Sequence, residues 1–315
     1  MSIEEDLARS SPGKELGGDT LLTIGVFDGV HLGHKHLLSK LKGRAKERSL
    51  LSGVVTFNPH PQKVLAPRSG LLFLTDIEQK VELLSAENVD AVFILPFDAE
   101  LAQISAGRFA GLMQQYLRMK GLVVGDNFAL GRNREGSIDA LRVLGEDMGF
   151  TVDVVPPLAI NGEAVSSTLV RKALSSGNMK RVQNLIGRPF TLHGRVVPGA
   201  SRGAKLLGFP TANLDIDPEQ AIPAEGVYAT RAFIDDINYN SMTYVGASLT
   251  FGESRRMIEV CILDYSGDLY GEELKIDFIE RLRGREKFDT VEKLRQQIAA
   301  DIEKGRTLLE SGGRK

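Results

Sequence analysis

His31 and His34 stand where an apolar run gives way to a helical pattern. They close the segment Gly25-Val-Phe-Asp-Gly-Val-His-Leu-Gly-His34, which follows Leu21–Phe27 and precedes an amphipathic repeat starting near His34 and Leu37. A strand handing over to a helix in this way marks the crevice where open α/β sheets bind ligands. The helix N-terminus adds unpaired amides and a partial positive charge, both of which attract phosphate. Gly25, Gly29 and Gly33 let the backbone come close to a ligand with no Cβ in the way. The chemistry implied is the handling of a nucleoside triphosphate. The alternatives are a hydrogen-bonded turn, or metal ligation, for which no cluster of Cys, His or Asp at ligand spacing accompanies the pair.

Four further groups of residues could do chemistry. In Thr56-Phe-Asn-Pro-His-Pro61 two prolines bracket His60 and stiffen the loop, which by itself describes a rigid turn. The stretch Gly125-Asp-Asn-Phe-Ala-Leu-Gly131 through Gly136 is glycine-rich but lacks the GK[ST] ending of a phosphate-binding Walker loop, so that mechanism is excluded. Ser166-Ser-Thr-Leu-Val-Arg171 opens a helix, with Ser167 or Thr168 three or four positions before Arg171. That spacing makes either a simple cap or a hydroxyl–guanidinium clamp for a triphosphate. In the segment Gly194–Asn213, Gly199, Gly203 and Gly208 give a flexible loop, and Pro210 biases Phe209 toward extended geometry. Thr211 and Asn213 then share a strand face as hard oxygen donors suited to Mg²⁺ shared with ATP phosphates, or as satisfied polar groups of a tight turn.

Glu259 lies in the alternating run Met257-Ile-Glu-Val-Cys-Ile-Leu263, on the face of Met257, Cys261 and Leu263. Desolvation there would raise its proton affinity and suit it to taking a proton from an alcohol. The competing reading is a carboxylate half in water at a barrel rim. Cys261 reads as a small buried hydrophobe rather than a nucleophile.

The elements that must position these residues fall into two sets. Apolar runs at Leu21–Phe27, Val54–Phe57, Ala91–Phe97, Leu122–Gly125 and Val152–Val155 alternate with helical periodicity at Asp76–Ala86, Ser105–Arg118 and Ile138–Met148. This predicts βαβ units and a parallel sheet covered on both faces. After Gly187-Arg-Pro189 come Thr191–Val197, Val227–Ile234, Met242–Leu249, Met257–Tyr265 and Leu274–Phe278, separated by turn residues. A closing helix carries the capping-box pair Asp289 and Glu292 and the apolar stripe Val291, Leu294, Ile298 and Ile302. Short strands closed by one helix predict a small antiparallel barrel, with the boundary near residue 185.

The 315 residues suffice for two domains, and 42% apolar with 25% charged residues is the balance of a soluble globular chain. A net charge of −2 speaks against a broad nucleic-acid footprint. One cysteine excludes an internal disulfide framework and fits a reducing compartment, and no apolar stretch approaches a membrane span. Residues 1–19 are polar, acidic and glycine-rich, unlike a signal peptide, and read as a flexible tail. The expected location is cytoplasmic.

The HxGH element at His31–His34 resembles that of the nucleotidylyltransferase superfamily, whose two imidazoles stabilise charge on the α-phosphate as pyrophosphate leaves. GVFDGVHLGH, TFNPHP, GDNFALGRNREG and VSSTLVRKAL, in that order and followed by NLIGRPF, resemble the FMN adenylyltransferase half of prokaryotic bifunctional riboflavin kinase/FAD synthetases. RGAKLLGFPTANL, EGVYAT, IEVCILDYSGDLYG and the closing helix resemble the riboflavin kinase module that follows. The resemblance spans about residues 20 to 310 and implies a Rossmann-like domain over residues 20–184 and a six-stranded barrel with a C-terminal helix over residues 185–315.

On that resemblance Gly25, Phe27, Asp28, His31, His34, Ser167, Thr168 and Arg171 would engage ATP. His60 would lie near the reacting phosphates and flavin, with Asn127 and Phe128 at the flavin. In the barrel, Gly203, Lys205, Thr211 and Asn213 would hold Mg-ATP, with Thr211 and Asn213 on the metal and Glu259 as general base on the ribityl 5′-hydroxyl. Riboflavin, FMN and ATP would be substrates, FAD a product and Mg²⁺ the cofactor, in a monomer or weak homo-oligomer. Leu130 stands where the family commonly has a second aromatic, and Pro198 where a histidine is frequent. Tyr244-Val-Gly-Ala-Ser-Leu-Thr-Phe251 replaces the usual NIGxxPTF. Competing functions are a nucleotidylyltransferase for another small phosphate or acid, and a flavin-binding regulatory protein with a decayed kinase half.

Overall fold

The computed structural model describes residues 4, 5, 7, 17–198, 211–235, 237–247 and 256–311. The chain divides into two compact units, Met1–Ser167 and Thr168–Lys315.

The first unit holds five parallel strands: β1 (Thr20–Ile24), β2 (Leu51–Asn58), β3 (Ala91–Pro96), β4 (Met119–Gly125) and β5 (Thr151–Val155). They lie in the order β3-β2-β1-β4-β5. The helices are α1 (Leu32–Glu47), α2 (Pro61–Leu65), α3 (Ile77–Ser85), α4 (Ala106–Leu117) and α5 (Ile138–Met148), with a small hairpin of β6 (Ala159–Ile160) and β7 (Glu163–Ala164). The strand runs are largely apolar because both faces are covered. Leu22, Val55, Phe93 and Leu122 pack with Phe109, Leu112 and Met113 of α4, while Leu21, Val54 and Val123 pack with Leu38, Leu41 and Ala45 of α1. Leu7, within the segment expected to be a tail, is fully buried in the first of these clusters. The chain moves outward from β1 to β3 and then returns to the other side of β1 for β4. The order therefore reverses between β1 and β4, and a ligand crevice belongs at their C-terminal ends.

The second unit begins with α6 (Ser167–Ser175), whose first residue closes the first unit, and α7 (Met179–Ile186). Then come β8 (Phe190–Val197), β9 (Ala212–Asp215), β10 (Gly226–Ile234), β11 (Ile237–Ala247), β12 (Arg256–Ile262), β13 (Glu273–Arg283) and α8 (Val291–Ser311). The strands form a closed antiparallel barrel in the order β10-β11-β12-β9-β8-β13, and α8 packs on β10, β11 and β13. Tyr228, fully buried, meets Phe278 edge-to-face with centroids 5.2 Å apart. Thr230, Ser241 and Thr243 satisfy one another inside, with hydroxyl contacts of 2.8 Å. Strand β13 runs five residues past the apolar segment ending at Phe278, because Glu280, Arg281 and Arg283 still pair with β10 across two register shifts. Helix α8 starts one residue later than the capping-box reading. Thr290 Oγ1 accepts the Lys293 amide at 3.2 Å, while Asp289 pairs with the Lys293 ammonium at 3.3 Å.

Candidate active sites

At the end of β1 the backbone turns sharply into α1. Phe27 (φ 51°) and the β-branched Val30 (φ 35°) both adopt left-handed conformations. Both are buried, at 2% and 0% exposure, so packing holds a strained loop in place, as happens at ligand sites. Gly33 is favoured for a different reason: a Cβ there would lie 3.0 Å from the His31 ring and from the Val165 carbonyl, so a neighbour would have to give by a few tenths of an ångström. The His31 ring thus folds back over the start of α1 and caps it, its Nδ1 accepting the His34 amide at 3.3 Å. With Nδ1 an acceptor, the proton of a neutral His31 sits on Nε2. The His31 and His34 rings stack, centroids 3.6 Å apart and 17° from parallel, and Phe27 meets His34 edge-on at 5.1 Å.

Burial holds the His34 pKa well below the usual imidazole range, with further lowering from His31 and the Lys80 ammonium. His34 is therefore neutral near pH 7, and its Nδ1 is buried without a hydrogen-bond partner among the described residues. A buried polar atom of this kind needs a partner, which a water or a ligand supplies. Asp28 turns inward: its Oδ1 accepts the amides of Leu74 at 2.9 Å and Thr75 at 3.3 Å, so its carboxylate braces the loop. The Ser167 hydroxyl donates to the Asp28 carbonyl at 2.9 Å, tying the start of α6 to the same turn. Thr168, exposed, and Arg171, half-buried, follow on α6.

His60 caps α2 through Nδ1, which accepts the Gln62 amide at 3.1 Å, and its ring lies 5.4 Å from that of Phe73. Asn127 and Phe128, after β4, line an open groove of about 560 Å³ with Arg134, whose guanidinium donates to the Asn127 carbonyl at 3.1 Å. His60 does not line that groove. Sequence reasoning missed Lys80, a buried cation whose position in an amphipathic helix gave no signal.

In the barrel, strand pairing assembles the second site. Asn213 of β9 stands directly across from Glu259 of β12, and Tyr244 of β11 stands across from Glu259 on the other side. Glu259 and Thr211 line a cavity of about 790 Å³ whose opposite wall is α8, through Val291, Leu294, Ile298 and Ile302. The apolar stripe of the closing helix is thus a cavity wall. Burial pushes the Glu259 carboxyl above the usual carboxylate range, and the Cys261 thiol and Tyr244 phenol on the same cavity are raised by burial too. Cys261 is only half-buried, and its raised pKa keeps it a thiol. Thr211 also lines an adjoining cleft of about 280 Å³ with Ser266, Asp268 and Tyr270, so it stands where two spaces meet. Gly203 and Lys205 lie outside the described residues, as do the last four positions of Tyr244–Phe251. Among the described residues no group of three His, Cys, Asp or Glu could hold a metal ion. The oxygen donors Thr211 and Asn213 nevertheless suit Mg²⁺, which keeps waters and substrate phosphates as most of its ligands.

Comparison with known proteins agrees with this two-part geometry. Residues 14–169 match the FAD synthetase family model, and residues 186–309 match that of riboflavin kinase. A bifunctional riboflavin kinase/FMN adenylyltransferase from Pseudomonas fluorescens is 36% identical over 288 residues, 91% of this chain and 92% of that protein. The protein of the same description from Escherichia coli K12 is 35% identical over 283 residues, 89% of this chain and 90% of its own length. A solved structure described as a macrolide-efflux protein from Streptococcus pneumoniae has a TM-score of 0.84 at 31% identity, covering 92% of this chain and 94% of that one. No helix among the described residues is long and apolar enough to cross a membrane. With both halves matched in order and close relatives matched over nearly their full length, the chain belongs to the bifunctional riboflavin kinase/FMN adenylyltransferase family.

Proposed function

We propose that the barrel unit transfers the γ-phosphoryl group of ATP to riboflavin, giving FMN, and that the α/β unit transfers AMP from a second ATP to FMN, giving FAD and pyrophosphate. The observation that carries this reading is the barrel cavity, where a carboxylate of raised pKa on one wall pairs across the strands with Asn213 and faces an apolar helix. An apolar slot ending in a base suits a flat tricyclic flavin whose ribityl hydroxyl must lose a proton.

Glu259 takes the proton of the 5′-hydroxyl as its oxygen bonds to the γ-phosphorus and the bond to the β-phosphate oxygen breaks, releasing ADP. Thr211 and Asn213 would hold Mg-ATP, as would Gly203 and Lys205 on the family resemblance. Mg²⁺, when bound, neutralises charge on the transferring phosphoryl group. In the α/β unit an oxygen of the FMN phosphate, already a nucleophile, attacks the α-phosphorus of ATP, and pyrophosphate leaves. His31 and His34 donate to the α-phosphate as charge develops there. Gly25, Phe27, Asp28, Ser167, Thr168 and Arg171 shape and clamp the triphosphate, while His60, Asn127 and Phe128 meet FMN and its phosphate. The proposed setting is the cytoplasm, with the chain a monomer or weak homo-oligomer that needs neither nucleic acid nor membrane.

The test is chromatography of flavins after incubating the pure protein with riboflavin, ATP and Mg²⁺. FMN should appear first and FAD second, and EDTA should stop both. Tight riboflavin binding without turnover would instead favour a regulatory flavin-binding protein, a reading motivated by Tyr244 standing opposite Glu259.

A further inference from the structure

Lys80 is a charged side chain that the proposed chemistry leaves unused, yet it is only 6% exposed. It projects from the first turn of α3, where Asp76 is the cap. Its Nζ donates to the carbonyl oxygens of Val26 at 3.2 Å and Phe57 at 3.1 Å. Val26 lies just past β1, ahead of the histidine motif, and Phe57 lies near the end of β2, ahead of His60. The strand register runs to Ile24 opposite Val55, so one ammonium bridges the two strands just beyond that point. The Val26 oxygen also accepts the Thr56 hydroxyl at 3.1 Å. The same segment grips the motif a second time: Leu74 and Thr75 amides hold the Asp28 carboxylate, and the Thr75 hydroxyl accepts the Gly29 amide at 3.1 Å.

An ammonium is costly to bury, and a helix could span this place with an apolar side chain at less cost. Its burial asks for a use. Resting on the adenylyltransferase reading above, we propose that Lys80 is a positioning residue for FAD formation. Its ammonium fixes the two strand ends that carry the His31/His34 segment and the His60 loop, and it sets the charge those imidazoles meet. The groups acting on His34 are the stacked His31 ring from its own segment and Lys80 from α3, and both oppose a charge on His34. Lys80 in turn is faced by the Asp28 carboxylate, which offsets part of the lowering that burial imposes on the ammonium. Burial first, then His31, then Lys80 keep His34 a neutral imidazole, and an arriving triphosphate meets ring N–H donors in a fixed stack.

The test uses the full chain carrying Lys80→Met. NMR titration of the imidazole ring protons without nucleotide should show the His34 pKa moving up by about half a unit or more once the neighbouring positive charge is gone. FAD formation from FMN should fall about tenfold or more in kcat, and the acid limb of its pH profile should move up with His34. FMN formation from riboflavin in the same preparation should stay unchanged. Lys80→Gln, which keeps one donor for the carbonyls, receives the same measurements, so a folding failure of Lys80→Met alone leaves the test intact. A purely structural lysine would lower the rate equally at every pH and leave the His34 titration in place. That result, or FAD formation within twofold of wild type, overturns the proposal. If the wild-type protein makes no FAD from FMN, the adenylyltransferase reading fails instead, and the His34 titration still reports on Lys80.

Discussion

Glu259 carries its proton more tightly in the folded barrel than in the open chain, because burial disfavours the carboxylate. A general base works only when ionised. Riboflavin phosphorylation should therefore decline as pH falls through the raised Glu259 pKa, with an acid limb above the ordinary carboxyl value of 4.5. Glu259→Gln should remove that limb and lower kcat by about 10²–10⁴-fold. The linkage sign adds a second readout. A carboxyl with a raised folded pKa contributes stability below its unfolded pKa and loses it as pH rises through the folded value. At neutral pH the ionised Glu259 thus costs stability, and Glu259→Gln should melt at a higher temperature than wild type. An acid limb at or below 4.5, or a less stable variant at pH 7, would contradict this. The alternation of Met257, Glu259 and Cys261 against Ile258, Val260 and Ile262 made the site's odd carboxylate legible from sequence, because strand periodicity alone decides the face. Lys80 was illegible for the opposite reason: a lysine on an amphipathic helix reads as solvated, and only packing against the ends of β1 and β2 buries it.

At the scale of elements, α8 matters more than its sequence suggested. Its stripe Val291, Leu294, Ile298 and Ile302 was visible from helical spacing, but spacing does not say whether such residues fill a core or wall a cavity. One buried ion pair sets the helix against β13. Arg283 Nε donates to both oxygens of Asp301, at 2.8 and 3.2 Å, and Gln297 donates to Asp301 at 2.9 Å. The two side chains are 15% and 7% exposed, so removing Asp301 leaves the largely buried Arg283 guanidinium without its carboxylate partner. Asp301→Ala should cost about 3 kcal/mol of barrel stability and raise the KM for riboflavin more than it lowers kcat, since the cavity wall shifts and the base does not. Calorimetry with kinase kinetics decides it, and an unchanged KM would show that the pair does not hold the wall. The capping shift from Asp289 to Thr290 was beyond sequence reasoning because adjacent residues both fit the N-cap preference, and only the hydrogen bond to the Lys293 amide separates them.

Across the whole molecule, the parallel sheet and the barrel were both legible, since continuous apolar runs alternating with helices and short strands punctuated by turns are opposite patterns. The division at Ser167 and Thr168 assigns most of α6 and all of α7 to the barrel unit, where the Ala224 amide donates to the Leu174 carbonyl at 3.2 Å and α7 packs on β8 and β13. An amphipathic helix announces a buried face without naming the core it serves, so helical spacing alone assigns α6 and α7 to neither unit. The central claim is a division of labour between two chemistries, each with its own ATP. Flavin chromatography of His31→Ala and Glu259→Gln, each checked for folding, tests it most directly. With riboflavin, ATP and Mg²⁺, His31→Ala should accumulate FMN while FAD formation drops about 10²–10³-fold. Glu259→Gln should leave riboflavin untouched yet still convert supplied FMN to FAD. A folded variant that loses both activities, or keeps both, contradicts the account.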